Sequence, residues 1–368
     1  MLSPSIHRPS YIEVNLENIR QNVKNIKAHL KNNEEIFAVV KANGYSHGAV
    51  EAGRVAIEAG ATGLCVATLD EGLSLREADI IEPILVLGVT DVKYAALAAQ
   101  QNISLTVAQT DWLKEAAREN FATLKIHLKV DSGMGRIGFT NREELLQACK
   151  ILQKDNHFEA EGIFTHFATA DEVDDSYFQE QLHKFKKITA DLPIDFKYKH
   201  VANSATTLWR DDSGFNMVRL GIAMYGLNPS GSAIELPYEL KTAFSLHSEI
   251  VFIKEVEPKT KISYGATYEA QAEEWIATIP LGYADGWLRR MQGFEVLVDG
   301  KRCPIVGRVC MDQLMIKVPQ KYDVGTQVTL LGKNGNDTIT IESAAEYAGT
   351  INYEIICSLS ERLPRIYK

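Results

Sequence analysis

The strongest constraint in the sequence is a series of eight short apolar runs that alternate with helical segments through its first two thirds. Helical spacing is clearest where Leu16, Ile19, Val23, Ile26 and Leu30 follow one another at intervals of three or four residues. Eight strands that alternate with helices predict an α/β fold of the (β/α)8, or TIM barrel, type. A doubly wound sheet is the alternative, although it more often has about six strands and a glycine-rich first turn. The apolar runs occupy residues 36–40, 63–67, 84–88, 103–107, 124–130, 161–166, 198–202 and 217–222, and the helical segments 16–30, 49–59, 91–100, 110–120, 142–153 and 177–191.

The pattern changes near residue 235, beyond which strand-like segments follow one another with little helix between them. Asp299-Gly300 and Asn334-Gly335 are typical of hairpin turns. We therefore expect a barrel domain over residues 1–235 and a mainly β C-terminal domain over residues 236–368, with the first dozen or so residues able to pair with the second domain. The predicted strands occupy residues 243–256, 275–280, 294–298, 304–309, 326–331 and 337–341.

Charge and composition exclude several classes of protein. Lys and Arg number 39 against 48 Asp and Glu, a net charge of −9, which argues against a nucleic-acid partner. No apolar run reaches the roughly 18 residues of a membrane span, and the N-terminus has no apolar signal region. The five cysteines are scattered without a CxxC pair, so neither disulfides nor a metal site is expected. We expect a cytoplasmic metabolic protein.

Lys41 ends the first predicted strand, at the barrel face where reactive groups collect. A lysine there needs a partner or a neutral amine, and a desolvated lysine with a lowered pKa forms Schiff bases with carbonyl compounds. Alternatively, its side chain reaches solvent at the barrel mouth.

The loops after strands seven and eight resemble an anion site. Asn203-Ser204 opens a predicted helix, Gly221-Ile222 opens the last turn, and hydroxyl and backbone N–H groups at such positions bind phosphate. A plain N-cap by Ser204 is the alternative. A Schiff-base lysine together with a phosphate site indicates pyridoxal 5′-phosphate (PLP).

One further motif is typical of a different ligand, a dinucleotide. Residues 133–138 match G-x-G-x-x-G, the dinucleotide-binding fingerprint. The match is isolated, falls in the fifth strand–helix unit instead of the first, and follows a strand that ends in charged residues, so we do not assign a dinucleotide site to it.

Nine segments, in order along nearly the whole chain, resemble the alanine racemase family. The family's PLP-lysine signature is similar to AVVKANGYSHG at residues 38–48, and its second signature to VRLGIAMYG at residues 218–226. Gly44 and Ser46 depart from the alanine and glycine that often flank this tyrosine, but both are small. The remaining matches are DSGMGRIG (131–138), THFATAD (165–171), HVANSA (200–205), ISYGATY (262–268), GYADGW (282–287), GRVCMDQ (307–313) and INYE (351–354).

The resemblance implies a PLP-dependent enzyme that interconverts L-alanine and D-alanine and supplies D-alanine for peptidoglycan. It also implies a head-to-tail homodimer in which each subunit completes the other's active site. Lys41 would bind PLP and act as one base, and Tyr264 of the partner subunit would be the base on the opposite face. Two bases on opposite faces achieve racemisation directly. A packed hairpin aromatic is the alternative for Tyr264.

The resemblance also assigns the cofactor's surroundings. Arg219 would face the pyridine nitrogen, and because arginine cannot accept a proton, that nitrogen would stay neutral. His200 would orient Arg219, or else be a core histidine. His166 would lie against the ring, and the remaining cofactor-binding residues are Tyr45, Asn203, Ser204, Gly221, Ile222 and Tyr353.

Substrate contacts are implied at Arg136, Tyr283, Met311 and Asp312, the last two from across the dimer interface. Lys129 supports Arg136, either as a carbamate, which would be an anion beside the guanidinium, or as an unmodified lysine paired with Asp131. Two other functions remain open. One is a serine or broad-specificity racemase, and the other is a PLP-binding protein without turnover.

Overall fold

The computed structural model describes residues 5–210 and 215–368, and its internal contacts divide the chain into two compact units. The barrel unit comprises residues 17–44 and 48–242. The C-terminal unit comprises the N-terminal segment up to Leu16, residues 45–47 and residues 243–368.

The barrel unit is built on one eight-stranded parallel sheet. In the sheet the first strand lies between the second and the eighth, so the order is 7-6-5-4-3-2-1-8. The Asn216 N–H donates to Lys199 O (3.1 Å) and the Arg219 N–H to Ala202 O (2.9 Å), which joins the eighth strand to the seventh. In chain order the strands are Glu35–Val39, Gly63–Val66, Ile84–Val89, Ile103–Val107, Leu124–Lys129, Phe158–Phe164, Tyr198–His200 and Met217–Leu220.

All eight predicted barrel strands are present, and the predicted α/β barrel followed by a mainly β part is confirmed. The sixth strand starts at Phe158, three residues before its predicted start. The helices of this unit are Leu16–His29, Ala49–Glu58, Leu69–Glu77, Ala95–Gln100, Thr110–Ala116, Arg142–Lys154, Ser176–Thr189 and Ser204–Trp209, with short 3₁₀ turns at Val92–Tyr94 and Ile222–Tyr225.

The helix Leu69–Glu77 was missed by the spacing argument because its apolar positions are few. Its start is instead marked by a capping box, in which the Thr68 hydroxyl accepts from the Glu71 N–H and the Glu71 carboxylate accepts from the Thr68 N–H.

The C-terminal unit contains a seven-stranded sheet, a three-stranded sheet and a two-stranded hairpin. The seven-stranded sheet comprises Tyr11–Val14, Phe244–Glu249, Glu295–Val298, Lys301–Pro304, Gln327–Asn334, Asp337–Ile339 and Arg365–Tyr367. The three-stranded sheet comprises Phe252–Val256, Glu274–Ile279 and Leu314–Val318, and the hairpin Lys261–Ile262 and Tyr268–Glu269. Short 3₁₀ turns lie at Tyr264–Ala266, Tyr283–Asp285 and Arg289–Met291, and α-helices at Ile341–Ala348 and Asn352–Cys357.

Several predictions for this unit were wrong in detail. The predicted strand 304–309 is displaced to Lys301–Pro304, and Gly307, inside the predicted range, takes a positive φ of 69° that a strand does not adopt. The predicted strand 243–256 is divided at residues 250–251, and the strand Leu314–Val318 was missed. The Asp299-Gly300 hairpin is confirmed, whereas the second turn falls one residue later, at 335–336.

No helix in residues 5–210 or 215–368 is long and apolar enough to cross a membrane.

The N-terminal strand Tyr11–Val14 is part of the C-terminal unit's main sheet. It pairs antiparallel with Phe244–Glu249 and parallel with Arg365–Tyr367. Ile12 and Val14 are completely buried, whereas the Glu13 carboxylate pairs with Lys368 at 2.5 Å. The strand therefore contributes to the core through alternate residues.

We predict that Ile12→Ala lowers the free energy of unfolding of the C-terminal unit by about 2–5 kcal/mol, because it leaves a cavity in a closed core. The matched variant Glu13→Ala removes a partly exposed ion pair and should cost less than about 1 kcal/mol. Denaturant unfolding measures both. Equal effects of the two substitutions would contradict the assignment of this strand to the core.

Candidate active site

Lys41 opens a left-handed turn directly after the first barrel strand. The φ angles of Ala42, Asn43, Gly44, Tyr45 and Ser46 are all positive, between 53° and 66°. For residues other than glycine this conformation costs about 1–2 kcal/mol each, so the surroundings must hold it.

Residues 42–44 of this turn are held by contacts within the barrel unit. The Ala42 N–H donates to Glu71 Oε1 (2.7 Å), and Asn43 Oδ1 accepts from the Ala49 N–H (3.0 Å). At Gly44 a Cβ would lie 3.2 Å from the Ala49 nitrogen. Strained backbone of this kind concentrates at functional sites.

Four positive groups surround the half-buried His166. Its pKa is well below the usual histidine value, first because of burial and then because of the charges of Arg219, Arg136, Lys129 and Lys41. His166 is therefore neutral at pH 7. We call the four residues Lys41, Lys129, Arg136 and Arg219 the cation cluster.

Lys129 is buried, and its amine donates to Val130 O at 2.8 Å. Burial, Arg219 and Arg136 lower its pKa to about 7, against the opposing effect of Asp131. The Asp131 carboxylate is engaged by the backbone N–H groups of residues 133, 135 and 136 at 2.9–3.1 Å. A substantial fraction of Lys129 is thus a neutral amine at pH 7.

The same contacts argue against a dinucleotide site at residues 133–138. The N–H groups of Gly133 and Gly135 donate to Asp131, so they are not available to a phosphate.

Arg219 is buried, and its pKa is lowered to about 10 by burial, so it stays charged at pH 7. Its Nη1 donates to His200 Nδ1 (2.7 Å), and its Nη2 donates to Thr165 O (2.8 Å) and Val201 O (3.2 Å). Within the described residues, its Nε donates no hydrogen bond. One directional donor therefore remains for a ligand.

The two loops predicted to bind phosphate are joined through Ser204. Its buried hydroxyl oxygen accepts from the Gly221 N–H (2.9 Å), and Ala223 N lies at 3.4 Å. The N-cap is Asn203, whose Oδ1 accepts from the Thr206 N–H (2.9 Å), so the alternative of Ser204 as a plain N-cap is wrong. Among the described residues the Ser204 hydroxyl has no acceptor for its own proton. Ile222 is buried at the start of the 3₁₀ turn Ile222–Tyr225.

Tyr264 lies in the C-terminal unit, on the turn between the two strands of the hairpin. The Ser263 hydroxyl donates to Arg308 O (2.6 Å), and a Cβ at Gly307 would lie 2.6 Å from Ser263 Cβ. The turn is therefore anchored while the Tyr264 side chain is 68% exposed.

Tyr283 and Met311 lie on two loops of this unit that are bound to each other. The N–H groups of Tyr283 and Ala284 donate to Cys310 O (3.0 Å) and Met311 O (2.9 Å), and Gly282 leaves room for this contact. Both predicted residues are exposed. With Tyr264, Asp312 and their neighbours, Met311 lines an open pocket of about 500 Å³.

An ion-pair network holds these loops. The Arg362 guanidinium lies 2.8 Å from Asp312 and 3.3 Å from the fully buried Asp285, which Arg8 contacts with two donors. Sequence reasoning missed Arg8, Asp285 and Arg362, because pairs so distant in sequence leave no local signal.

The last two predicted cofactor residues pack together in the C-terminal unit. The rings of Tyr45 and Tyr353 are 6.1 Å apart at 50°, and Tyr45 is buried. Tyr353 belongs to the short helix Asn352–Cys357.

Comparisons with known proteins identify the chain's relatives. The family described as alanine racemase, N-terminal domain, matches residues 14–229, and the corresponding C-terminal domain matches residues 243–367. An alanine racemase of Pediococcus pentosaceus is 54% identical, with coverage of 98% of this chain and 97% of the relative.

Solved structures are equally similar. The crystal structure of alanine racemase from E. faecalis is 50% identical with a TM-score of 0.97, and each chain is covered completely. A histidine racemase from Leuconostoc mesenteroides is 38% identical with a TM-score of 0.95, again over both complete chains. The chain belongs to the alanine racemase family and is an isomerase.

Proposed function

We propose that this protein interconverts L-alanine and D-alanine, with PLP bound at the carboxyl end of the barrel and Lys41 as its attachment point. The observation that carries the proposal is the cation cluster. It puts the amine of Lys41 in the same electrostatic environment as three other positive groups and a neutral imidazole.

The residues present fit PLP chemically. An anionic ligand would offset the positive charge of the cluster, of which Asp131 balances only part. Arg219 Nε retains a donor for a ring nitrogen, and the buried Ser204 hydroxyl retains a proton for a phosphate oxygen. When bound, PLP supplies an electron-withdrawing group that acidifies the α-hydrogen of an amino acid.

Arg219 would set the character of the ring nitrogen. Its guanidinium only donates and stays charged, so it holds that nitrogen unprotonated. A carboxylate in its place would favour the protonated ring and a stronger electron sink. Arg219 thus favours simple proton exchange at the α-carbon over side reactions.

The phosphate of PLP would be held by hydroxyl and backbone N–H groups. We assign to it the hydroxyls of Ser204, Tyr45 and Tyr353 and the backbone at Gly221 and Ile222, with Asn203 fixing the start of its helix. His166, neutral and half-buried, would pack against the ring.

Two proton carriers would act on opposite faces of the substrate. Lys41 would be one, and Tyr264 of the partner subunit the other, in a homodimer that completes each site. Exposed Tyr264, Tyr283 and Met311 support the dimer, because large apolar groups that cluster on a surface mark interaction sites.

The substrate carboxylate would be bound by Arg136 and by the backbone N–H of Met311 of the partner subunit, with Asp312 of the partner subunit beside them. Arg136 is exposed at the barrel end, where Lys129 lies within electrostatic range. Tyr283 would narrow the entrance and favour a methyl side chain.

We infer a cytoplasmic enzyme that supplies D-alanine for peptidoglycan. All five cysteines are free, which fits a reducing compartment.

A racemase for another amino acid is the second candidate. The similarity to a histidine racemase at 38% identity favours it, because that protein has this fold over its whole length and a different named substrate. Alanine, serine and histidine therefore belong in the same assay.

We predict that Lys41→Ala abolishes racemisation of alanine and that Tyr264→Phe lowers it about 10²–10⁴-fold, as expected for loss of a positioned acid–base group. In D₂O, Tyr264→Phe should still exchange the α-hydrogen of D-alanine without inversion, because Lys41 is retained. Circular dichroism measures racemisation, and proton NMR measures exchange.

Tyr347→Phe is the matched control, since Tyr347 is a half-exposed tyrosine of the same unit whose hydroxyl contacts only backbone. It should keep wild-type activity. A Tyr264→Phe enzyme that racemises like wild type would refute the two-base proposal. A wild type that turns over serine or histidine faster than alanine would favour the second candidate.

We also predict that Lys129 is carbamylated. The neutral amine attacks CO₂, an N–C bond forms, and one proton leaves to solvent, so the modified fraction should rise as pH passes upward through about 7, the lysine's pKa. Native mass spectrometry in bicarbonate should show the mass of one added CO₂, lost on acidification and absent in Lys129→Met. An unshifted mass at pH 8 would contradict this prediction.

A further inference from the structure

We propose that Glu161, His127 and His200 form a one-directional hydrogen-bond relay that positions the guanidinium of Arg219 for the ring nitrogen of PLP. The inference rests on the proposed function wherever it concerns PLP. The relay itself is a property of the barrel interior.

The relay crosses four consecutive barrel strands. Glu161 Oε2 lies 2.9 Å from His127 Nε2, His127 Nδ1 lies 2.9 Å from His200 Nε2, and His200 Nδ1 lies 2.7 Å from Arg219 Nη1. All four side chains are at most 3% exposed. The interior of such barrels is usually filled by branched apolar residues, so this polar line is a departure that needs a reason.

The direction of each hydrogen bond in the relay is fixed by Arg219, which can only donate. His200 Nδ1 must therefore accept. A neutral His200 then carries its proton on Nε2 and donates to His127 Nδ1. His127 in turn carries its proton on Nε2 and donates to the Glu161 carboxylate.

The reverse arrangement is chemically excluded. If the Glu161 carboxyl donated a hydrogen bond to His127 Nε2, a neutral His127 would carry its proton on Nδ1. That N–H would then face the Nε2–H of His200, and neither could accept. Both imidazoles are therefore neutral and Glu161 is charged. Burial lowers the pKa of His200 well below the usual value, and Arg219 lowers it further. Burial alone would raise the pKa of Glu161, but His127, Ser104 and Lys125 outweigh it and leave it lowered.

The barrel makes room for the relay. A Cβ at Gly162 would lie 2.3 Å from His127 Nδ1, so only glycine permits this imidazole position. The His200 ring stacks on Phe164 at 4.6 Å and 5°. The Ser104 hydroxyl donates to the same Glu161 oxygen at 2.6 Å. Every imidazole nitrogen in the relay has a hydrogen-bond partner, so burying these two histidines leaves no unsatisfied polar atom on them.

The relay fixes the position of the Arg219 guanidinium. Aligned hydrogen bonds polarise one another, so the charge of Glu161 makes His200 a stronger acceptor for Nη1. With Nη2 held by the carbonyls of Thr165 and Val201, the guanidinium is fixed at both ends and Nε is the remaining donor. Glu161 is thus a positioning residue that acts through two imidazoles.

The test compares Glu161→Gln with Glu159→Gln, an exposed glutamate on the same strand. Glutamine keeps the shape and the acceptor but removes the charge. We expect the PLP dissociation constant of the Glu161→Gln apoenzyme to rise about tenfold and kcat of the holoenzyme to fall by a similar factor, with KM for alanine unchanged. Glu159→Gln should match wild type in all three.

A second measurement needs neither PLP nor activity. ¹⁵N NMR of histidine-labelled apoprotein, assigned with single His→Gln variants, should show His127 and His200 protonated only at Nε2 between about pH 6 and 8. A proton on Nδ1 of either ring, or a doubly protonated ring, would overturn the relay. If Glu161→Gln fails to fold, Glu161→Asp is measured instead. Aspartate keeps the negative charge but moves it away from His127, so the PLP dissociation constant should rise by less than about tenfold.

Wild-type PLP affinity and kcat in Glu161→Gln would overturn the positioning role. That result differs from failure of the proposed function, which would appear as a wild-type enzyme without PLP binding or racemisation.

Discussion

The polar side chains at the carboxyl end of the barrel sheet are governed by one electrostatic constraint. Four positive side chains lie around a neutral imidazole there. Lys41, Lys129, Arg136 and Arg219 each lower the pKa of His166. Such repulsion destabilises a folded chain unless a ligand offsets it. This repulsion contributes to the lowered pKa of Lys129, which is caused first by burial and then by the charges of Arg219 and Arg136.

The protein handles these charges by different means. Arg219 is permanently charged and is held by an acceptor at each end, with the carboxylate of Glu161 two imidazoles away. Lys129 is brought close to neutrality, where carbamylation would convert a repulsive group into an attractive one. Lys41 is the member of the cluster that we propose as the attachment point of PLP. In the C-terminal unit, Asp285 between Arg8 and Arg362 holds the loops of Tyr283 and Asp312.

The sequence was sufficient to predict all eight barrel strands, because parallel strands buried on both faces are continuous apolar runs. It was less informative beyond residue 300, where Gly307, with a positive φ, interrupts an apolar run that resembles a strand. The relay could not be predicted, because His127 and Glu161 are two polar residues in separate strands and only the barrel register brings them together. Gly162, an unexpected glycine inside a strand, was the one local sign of it.

The central claim, that the carboxyl end of the barrel is built to bind an anionic cofactor, is tested most directly by comparing PLP with pyridoxal, which lacks the phosphate. Calorimetric titration of the apoprotein with each compound isolates the contribution of the anion. Because charge-assisted hydrogen bonds to phosphate are strong, we predict that PLP binds at least about a hundredfold more tightly and that the difference shrinks as salt is added. Equal affinities for the two compounds at low salt would contradict the claim.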